Sequence, residues 1–426
     1  MGASELSETV TRVSSGAKLI VVSNREPVSH ERGPGGIRAV RPASGMVAAI
    51  EPIVRAVGGT WVAYGSGPAD RLVTDARDRV RLPEGDPRYT LRRVWLSEKE
   101  VNGYYHGVSN TALWPLCHIV YTRPHFSRDD WDTYRGVNGR FRDAVLEEAG
   151  GGPAIVFIQD YHLALLPRML KDARPDLKVL QFWHIPWPNR EAFRILPWGQ
   201  ELLDGLLGND VLGFHLQYHC NNFLDTVDRG IEALVDYERF CAFRGGRPTY
   251  VRAFPISVAA EQIARDAGSP EVEARKASFA REIGTQVTGA TLFVGADRID
   301  YTKGIPERLR AFDRMLTLHP ELKGKVCLVQ LAAPSRTKVA AYRDLNRELD
   351  RLVGEINRRH GGGVPFPGVF RGLGRLLGGG RTGAHGWMPI RFLRAHHDYY
   401  AVLAACRMAH VALVTSLHDG MNLVAK

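Results

Sequence analysis

Short runs of β-branched and apolar residues recur along the chain, separated by segments with helical spacing. Strands are predicted over Leu19–Ser23, Thr60–Tyr64, Ile155–Ile158, Val179–Trp183, Val211–Phe214, Leu292–Ala296, Val326–Leu331 and Val411–Thr415. Helices are predicted over Ser44–Val57, Ile305–Leu318 and Val339–Arg359. Such alternation points to an α/β fold with parallel sheets and helices on both faces. The strand-like Tyr250–Ala253 runs into Phe254-Pro255-Ile256, and a polar helical stretch, Glu261–Glu282, follows. A boundary is expected there, giving domains at 18–255 and 256–426 after a Ser/Thr-rich loose tail, 1–17. Residues 361–386 break the alternation: eleven of the twenty-six are Gly, with Arg and Pro interspersed. The spacing of Gly372, Gly374 and Gly378 is superficially that of a dinucleotide loop. No strand precedes it and no acid follows at the right distance, so the segment reads as a flexible surface insertion.

A chain of 426 residues, 44% hydrophobic and 24% charged, fits two globular domains facing a cleft. The formal charge of +10 and pI near 9.4 raise the question of nucleic acid. Lys and Arg are scattered, however, and the richest basic run, Arg358-Arg359 beside His360, is short, so a basic cleft for phosphorylated small molecules fits better. No nucleic-acid partner is expected. Five widely spaced cysteines without a C-x-x-C pair read as reduced thiols. No basic-then-apolar leader opens the chain, and no apolar run approaches the roughly 20 residues of a membrane helix. The expectation is a cytoplasmic protein without a membrane partner; the oligomeric state, a homo-oligomer included, stays open.

The chemistry-bearing residues gather after predicted strands, where open α/β sheets bind ligands. Ser23-Asn24-Arg25 ends the first strand, and Gly35-Gly36 follows a short polar loop. An arginine can fork onto a phosphate, and paired glycines let the backbone approach one. Asp160 and His184 emerge after adjacent strands, His184 in a loop stiffened by Pro186 and Pro188. A carboxylate and an imidazole there can hold sugar hydroxyls. Arg298 and Lys303 flank the opening of a helix, where free amides and the dipole add to their charge for a diphosphate. Pro334-Ser335-Arg336 sets another arginine above a sheet edge, and Tyr105 and Trp114 offer a hydroxyl and a flat face. After Val411–Thr415 come Asp419, Gly420, Met421, Asn422 and Leu423: an acid, a glycine and backbone amides that would begin a helix, suited to a sugar and its phosphate. Taken singly, each has an ordinary alternative: a surface arginine, a turn, a loop histidine satisfied by backbone, a helix cap with solvated charges, or core aromatics. His215 and His219 have zinc-like spacing, but no Glu lies between them and no third ligand is evident, so they and His396-His397 read as structural. No metal site and no Ser-His-Asp or Cys-His nucleophile is predicted.

In combination these segments resemble the trehalose-6-phosphate synthases, retaining GT-B glycosyltransferases of family 20. The resemblance rests on Ser23-Asn24-Arg25, Gly35-Gly36, Ser109-Asn110 with Leu113-Trp114-Pro115, Asp160-Tyr161-His162, His184 to Pro188, Arg298 to Gly304, Pro334-Ser335-Arg336 and Asp419 to Lys426, in the family's order. It implies two Rossmann-like domains around a cleft and metal-free transfer of glucose from a nucleotide sugar, UDP-glucose or similar, to glucose 6-phosphate. It also implies that Arg25, Tyr105, Trp114 and Arg336 hold the acceptor and that Gly35, Gly36, Arg298 and Lys303 hold the donor diphosphate. Asp160, His184 and Asp419 would lie at the reacting sugars, and Gly420, Met421, Asn422 and Leu423 would line the donor. The family attacks on the same face as the departing phosphate, which helps to deprotonate the acceptor hydroxyl, so no protein nucleophile or cofactor is implied.

Two departures accompany the resemblance. The chain ends at Lys426, one residue before the Glu that in this family is expected at the donor ribose. The second domain therefore reads as incomplete, with an open sheet edge, and weak or absent activity is expected. The Gly/Arg insertion is the other departure, with Trp387-Met388-Pro389-Ile390 beside it placed on the donor side. Rival readings are a synthase of glucosylglycerol phosphate or a pseudo-sugar, and a non-enzymatic sugar-phosphate-binding regulator.

Overall fold

The run Leu19-Ile20-Val21-Val22 is buried on both faces, as a strand inside a parallel sheet must be. It lies in β1 (Lys18–Arg25). A separate antiparallel hairpin follows, β2 (Ser29–Gly33) paired with β3 (Gly36–Val40). Next come β4 (Thr60–Tyr64), β5 (Arg79–Leu82), β6 (Tyr89–Val94), β7 (Ala154–Gln159), β8 (Lys178–Phe182), β9 (Val211–Phe214), β10 (Leu234–Asp236), β11 (Cys241–Arg244) and β12 (Arg247–Ala253). These build a ten-stranded sheet in the order β10-β11-β12-β9-β8-β7-β1-β4-β6-β5, parallel from β12 to β6 and antiparallel at both margins. The computed structural model describes residues 3–41, 45–283, 290–361 and 387–426, and the chain divides into two compact units, Met1–Ile256 and Ser257–Lys426.

The second unit is a four-stranded parallel sheet of β13 (Thr291–Arg298), β14 (Val326–Ala333), β15 (Ile390–Leu393) and β16 (Val411–Ala412), in the order β15-β14-β13-β16. The period-two rule is visible in β14. Val326 and Leu328 pack with Leu309, Phe312 and Leu349 of the helices Ile305–Leu318 and Ala340–His360, while Cys327, Val329 and Leu331 pack with Val272, Phe279 and Ala404 on the other face. Among the described residues no helix is long and apolar enough to cross a membrane.

Several expectations need correction. The tail read as loose contains a helix, Ala3–Ser14, whose Leu6, Val10 and Val13 recur at helical spacing. The polar stretch Glu261–Glu282 is two helices, Ala260–Ala267 and Pro270–Ile283, split at Gly268-Ser269 because Pro270 opens the second. The strand expected through Thr415 ends at Ala412, and Thr415 hydrogen-bonds a neighbouring turn instead. Only a single turn, Leu423–Ala425, forms where the chain was read as beginning a helix. Trp387 does not line the ligand edge: its Nε1 donates to the Val326 carbonyl (2.9 Å) at the amino end of β14. Gly361 closes the helix before it, its N–H donating to the Asn357 carbonyl (2.9 Å), and the rest of the insertion, with the Gly372–Gly378 spacing, lies outside the described residues.

Both sheets reverse their strand order at a definite point, which is where an open parallel sheet presents a crevice at its carboxyl ends. In the first unit the reversal falls between β1 and β7, and in the second between β13 and β16. A charge cluster fixes the chain just past β1. Arg93 is fully buried; its Nε donates to Glu26 Oε2 and its second terminal nitrogen pairs with Asp70 Oδ1, each at 2.9 Å. Asp70 Oδ1 also accepts from the His30 N–H (2.7 Å), tying β2 to the same cluster. Burial, reinforced by Asp70, pushes the Glu26 carboxyl up to about 7 against the opposing pull of the Ser66 N–H and Arg93.

Truncating Arg93 would leave two buried carboxylates without their cation. Arg93→Ala is therefore expected to destabilise the first unit by about 3–5 kcal/mol. Urea unfolding followed by tryptophan fluorescence measures this, since every tryptophan except Trp387 lies in that unit.

Candidate active site

In the first unit, three neighbouring strands, β1, β7 and β8, deliver Arg25, Asp160 and His184 to one edge. Arg25 is exposed and meets no carboxylate among the described residues. A bulge in the β1–β4 register at Ser23–Arg25 turns the strand end, and Ser23 Oγ, which donates to the Arg25 carbonyl (2.6 Å), accepts in turn from Trp61 Nε1 (2.8 Å).

Asp160 occupies a left-handed backbone conformation, φ +69°. For a residue with a side chain this costs on the order of 1–3 kcal/mol and persists only where the surroundings enforce it. They do so here from both sides. Its N–H donates to the Phe182 carbonyl (2.7 Å), and its own carbonyl accepts from Gln181 Nε2 (2.9 Å). Its Oδ1 accepts from the N–H groups of Tyr161 (3.0 Å) and His184 (3.3 Å). The next residue is pinned as well: the Tyr161 carbonyl accepts from Tyr134 Oη (2.8 Å), and the Tyr161 hydroxyl donates to Asn110 Oδ1 (3.1 Å). Sequence reasoning found Asp160 but not this strain, for which no local residue signal exists.

His184 Nε2 lies 3.0 Å from Oε1 of Gln159, the last residue of β7. Burial, and secondarily the His215 imidazole, push the His184 pKa down to about 3, so the ring is neutral near pH 7 and can hydrogen-bond but not carry a proton charge. Tyr105 and Trp114 are placed differently from each other. Both belong to one wide helical segment, a π-helix over Val101–Leu113 running into Trp114, whose carbonyls of Tyr104, Tyr105 and His106 accept from the side chains of Ser109, Asn110 and Thr111 five residues on. That is the structural meaning of the Ser109-Asn110 motif, and π-helices concentrate at functional sites. Tyr105, half-buried, stacks on His162 with centroids 5.7 Å apart. Trp114 is buried, its ring 4.0 Å from that of His118 and 6.0 Å from that of Tyr161. Gly35 lies in the exposed hairpin turn and Gly36, with φ +113°, opens β3 directly after it. His219 Nδ1 sits 3.3 Å from both the Trp187 N and O, and no group of three metal-ligating side chains occurs among the described residues.

In the second unit the carboxyl ends of β13 and β14 and the segment after β16 bring together Arg298, Lys303, Arg336 and Asp419. Their organiser is Asp300, fully buried. Its Oδ1 accepts from the Thr302 N–H and Oγ1 (3.1 and 3.0 Å), and its Oδ2 accepts from Arg336 (3.0 Å) and the Tyr342 hydroxyl (2.9 Å), with the half-exposed Arg298 at 4.0 Å. Lys303 pairs with Asp419 at the amino end of the helix Ile305–Leu318. Gly304 between them takes φ +61°, where a Cβ would collide with the Thr415 carbonyl. Thr415 Oγ1 donates to the Gly304 carbonyl (3.0 Å) and the Leu417 N–H to the Thr302 carbonyl (2.8 Å), fastening the acid-bearing segment to the cation-bearing turn. Asn422 Oδ1 caps the terminal turn, accepting from the N–H groups of Val424 (2.9 Å) and Ala425 (3.3 Å), while Gly420 is buried and Met421 and Leu423 half-buried beside it.

Two Rossmann-like units, one carrying an acid, a neutral imidazole and aromatics and the other a cluster of cations at a helix start, make the equipment of a nucleotide-sugar glycosyltransferase. The chain belongs to glycosyltransferase family 20, which it matches over residues 17–367. It is 37% identical to the trehalose-6-phosphate synthase of Mycolicibacterium vanbaalenii over 97% of this chain and 80% of that protein. The Mycobacterium tuberculosis enzyme of the same name is 37% identical over 96% of this chain and 78% of its own length. Among solved structures, the Escherichia coli protein bound with UDP-2-fluoro glucose superposes with a TM-score of 0.77 at 29% identity, covering 96% of this chain and 80% of that one. The Burkholderia xenovorans α,α-trehalose-phosphate synthase (UDP-forming) in complex with glucose-6-phosphate gives 0.77 at 27% identity, over 96% and 81% respectively. The fold is thus GT-B, with two Rossmann-like units.

A folded-state pKa near 3 against an ordinary 6.5 means that the unfolded chain takes up a proton at His184 more readily than the native one. This residue's contribution to stability is full above about 6.5 and is lost as pH falls toward 3. Chemical unfolding at several pH values is expected to show a shallower loss on acidification for His184→Gln than for the unmodified protein.

Proposed function

We propose that this protein transfers glucose from UDP-glucose to glucose 6-phosphate with retention, forming α,α-trehalose 6-phosphate. The observation that carries the reading is the second unit's cluster, in which Lys303 and Arg298 stand with the helix Ile305–Leu318 at a sheet's switch point. The similar proteins are trehalose-6-phosphate synthases, and the similar solved structures include one with a UDP-sugar analogue and another with glucose-6-phosphate. Those names favour a hexose phosphate acceptor over glycerol phosphate or a pseudo-sugar.

In this reading Arg298 and Lys303 hold the donor diphosphate, with Gly35, Gly36, Gly420, Met421, Asn422 and Leu423 approaching it through backbone. Arg25, Tyr105, Trp114 and Arg336 hold the acceptor. Asp160, His184 and Asp419 hold hydroxyls near the reacting carbon. As the glucosyl–phosphate bond lengthens, negative charge grows on the diphosphate, and the cations and helix amides stabilise it more than they stabilise the bound donor. A neutral His184, whose Nε2–H is committed to Gln159 Oε1, accepts from a sugar hydroxyl at Nδ1 without adding charge beside the developing oxocarbenium ion. The leaving phosphate takes the acceptor's proton on the face it departs from, so no protein nucleophile or cofactor is required. Five unpaired cysteines accord with a reducing, cytoplasmic setting.

Purified protein supplied with both substrates is expected to release UDP in step with a non-reducing disaccharide phosphate, followed by coupled assay and NMR. Binding of glucose 6-phosphate without UDP release would favour a regulator instead. Lys303→Ala is expected to lower turnover by roughly 10²–10³-fold while the KM for glucose 6-phosphate stays within about twofold. Turnover near the parent's would remove Lys303 from the leaving-group role.

A further inference from the structure

Arg336 is held in an unusual way for a ligand-binding arginine. Its backbone is left-handed, φ +47°, and its side chain is only 6% exposed. A non-glycine residue keeps such a conformation, at a cost on the order of 1–3 kcal/mol, only if other contacts impose it. Here one terminal nitrogen pairs with Asp300 Oδ2 (3.0 Å) and also meets the Tyr342 hydroxyl, while the guanidinium carbon lies 5.5 Å above the Tyr342 ring. Tyr342 itself is fully buried, in the first turn of the helix Ala340–His360, and its hydroxyl donates to the same Asp300 oxygen (2.9 Å). Burial pushes that hydroxyl's pKa up, so it remains an O–H donor. The Arg336 carbonyl accepts from the Val339 N–H (2.9 Å), which closes the turn leading into the helix.

We infer that Asp300 and Tyr342 are positioning residues for the acceptor: as one clamp they fix the rotamer and backbone of Arg336, and so set how tightly the phosphate of glucose 6-phosphate is held. The inference rests on the proposed glucosyl transfer and on Arg336 as an acceptor ligand. Its geometric basis is that both Asp300 oxygens are committed, one to the Thr302 turn that leads to Lys303 and the other to Arg336. One carboxylate thus indexes the donor cations and the acceptor cation to each other. Tyr342 supplies the wall that stops the guanidinium from swinging. It touches neither substrate in this scheme and acts only through Arg336.

Two variants separate this role from general support. Tyr342→Phe keeps the ring and removes the two hydrogen bonds of the hydroxyl, to Asp300 and from Arg336; the KM for glucose 6-phosphate is expected to rise about five-fold with the donor KM within about twofold. Asp300→Glu keeps the charge but shifts the carboxylate by a methylene, and is expected to raise the same KM by about ten-fold or more. Steady-state kinetics with each substrate varied, calorimetric titration with glucose 6-phosphate and the thermal midpoint are read together. If the unmodified protein turns over and Tyr342→Phe leaves the glucose 6-phosphate KM within about twofold, the positioning role is overturned while the functional reading stands. A parallel rise in both KM values with a lowered melting temperature overturns it too, because that is the mark of structural support. Should the unmodified protein neither bind glucose 6-phosphate nor release UDP, the functional reading falls and takes this inference with it.

Discussion

A carboxylate removed from water is tolerated only when donors surround it, and that requirement fixes the geometry around Asp300. Four donors converge on its two oxygens: the Thr302 N–H and hydroxyl, the Tyr342 hydroxyl and the Arg336 guanidinium. They come from three stretches of chain, so the turn that begins at Arg298, the loop at Arg336 and the start of the helix Ala340–His360 cannot move independently. Lys303 follows one residue after Thr302, and its pairing with Asp419 extends the same constraint to the segment after β16. The second unit's ligand edge is consequently a set of charges indexed to one buried acid, with the sheet reversal between β13 and β16 supplying the opening.

The first unit solves the corresponding problem with the opposite sign. Its buried ion is a cation, Arg93, and the carboxylates of Glu26 and Asp70 are the partners that carry the constraint outward. Glu26 directly follows Arg25, and Asp70 binds the backbone of His30 in the hairpin that ends in Gly35-Gly36. Polar residues thought to line a ligand edge thus stand on a desolvated ion cluster, while Asp160 stands on tyrosine and asparagine side chains. Rigidity comes from leaving every alternative placement with an unpaired buried group, which costs more than the strain at Asp160 or Arg336.

How much of this could be read from residues alone follows from which interactions are local. The parallel strands were legible because burial on both faces demands unbroken apolar runs, as in Leu19–Val22 and Val326–Leu331, and the candidate residues were legible because they follow those runs. The hairpin Ser29–Val40 was not: its sequence is polar and charged, and what holds it is the His30 backbone on Asp70, forty residues away. The same applies to the π-helix over Val101–Leu113, where the signal in Ser109-Asn110-Thr111 is a five-residue reach to carbonyls that helical periodicity does not encode. Asp300 sat inside a recognised motif, yet its part depends on Tyr342, which has no motif of its own. The overlong strand at Val411–Thr415 failed for the same reason: among the described residues β16 pairs with β13 alone, and Thr415 bonds the Gly304 turn instead of continuing the edge.

If Lys303 takes the leaving-group role proposed above, its pairing with Asp419 bears on catalysis as well as on order. Around this edge, among the described residues, the three cations Arg298, Lys303 and Arg336 meet the two carboxylates Asp300 and Asp419, so these five groups sum to one positive charge, supplemented by the amides at the start of the helix Ile305–Leu318. A phosphate that approaches Lys303 competes with Asp419 for it. That competition penalises a donor whose charge is still shared with the sugar more than a diphosphate that has gained a further negative charge by bond breaking. In that role the acid beside the lysine would weaken ground-state binding and spare the departing group, which is the direction in which binding energy raises turnover rather than affinity. Neutralising every cation in this fashion would leave nothing to attract the donor; neutralising none would hold the donor as firmly as its product. The net positive charge of these five groups, with helix amides fixed in place by the Asp300 turn, lies between those limits.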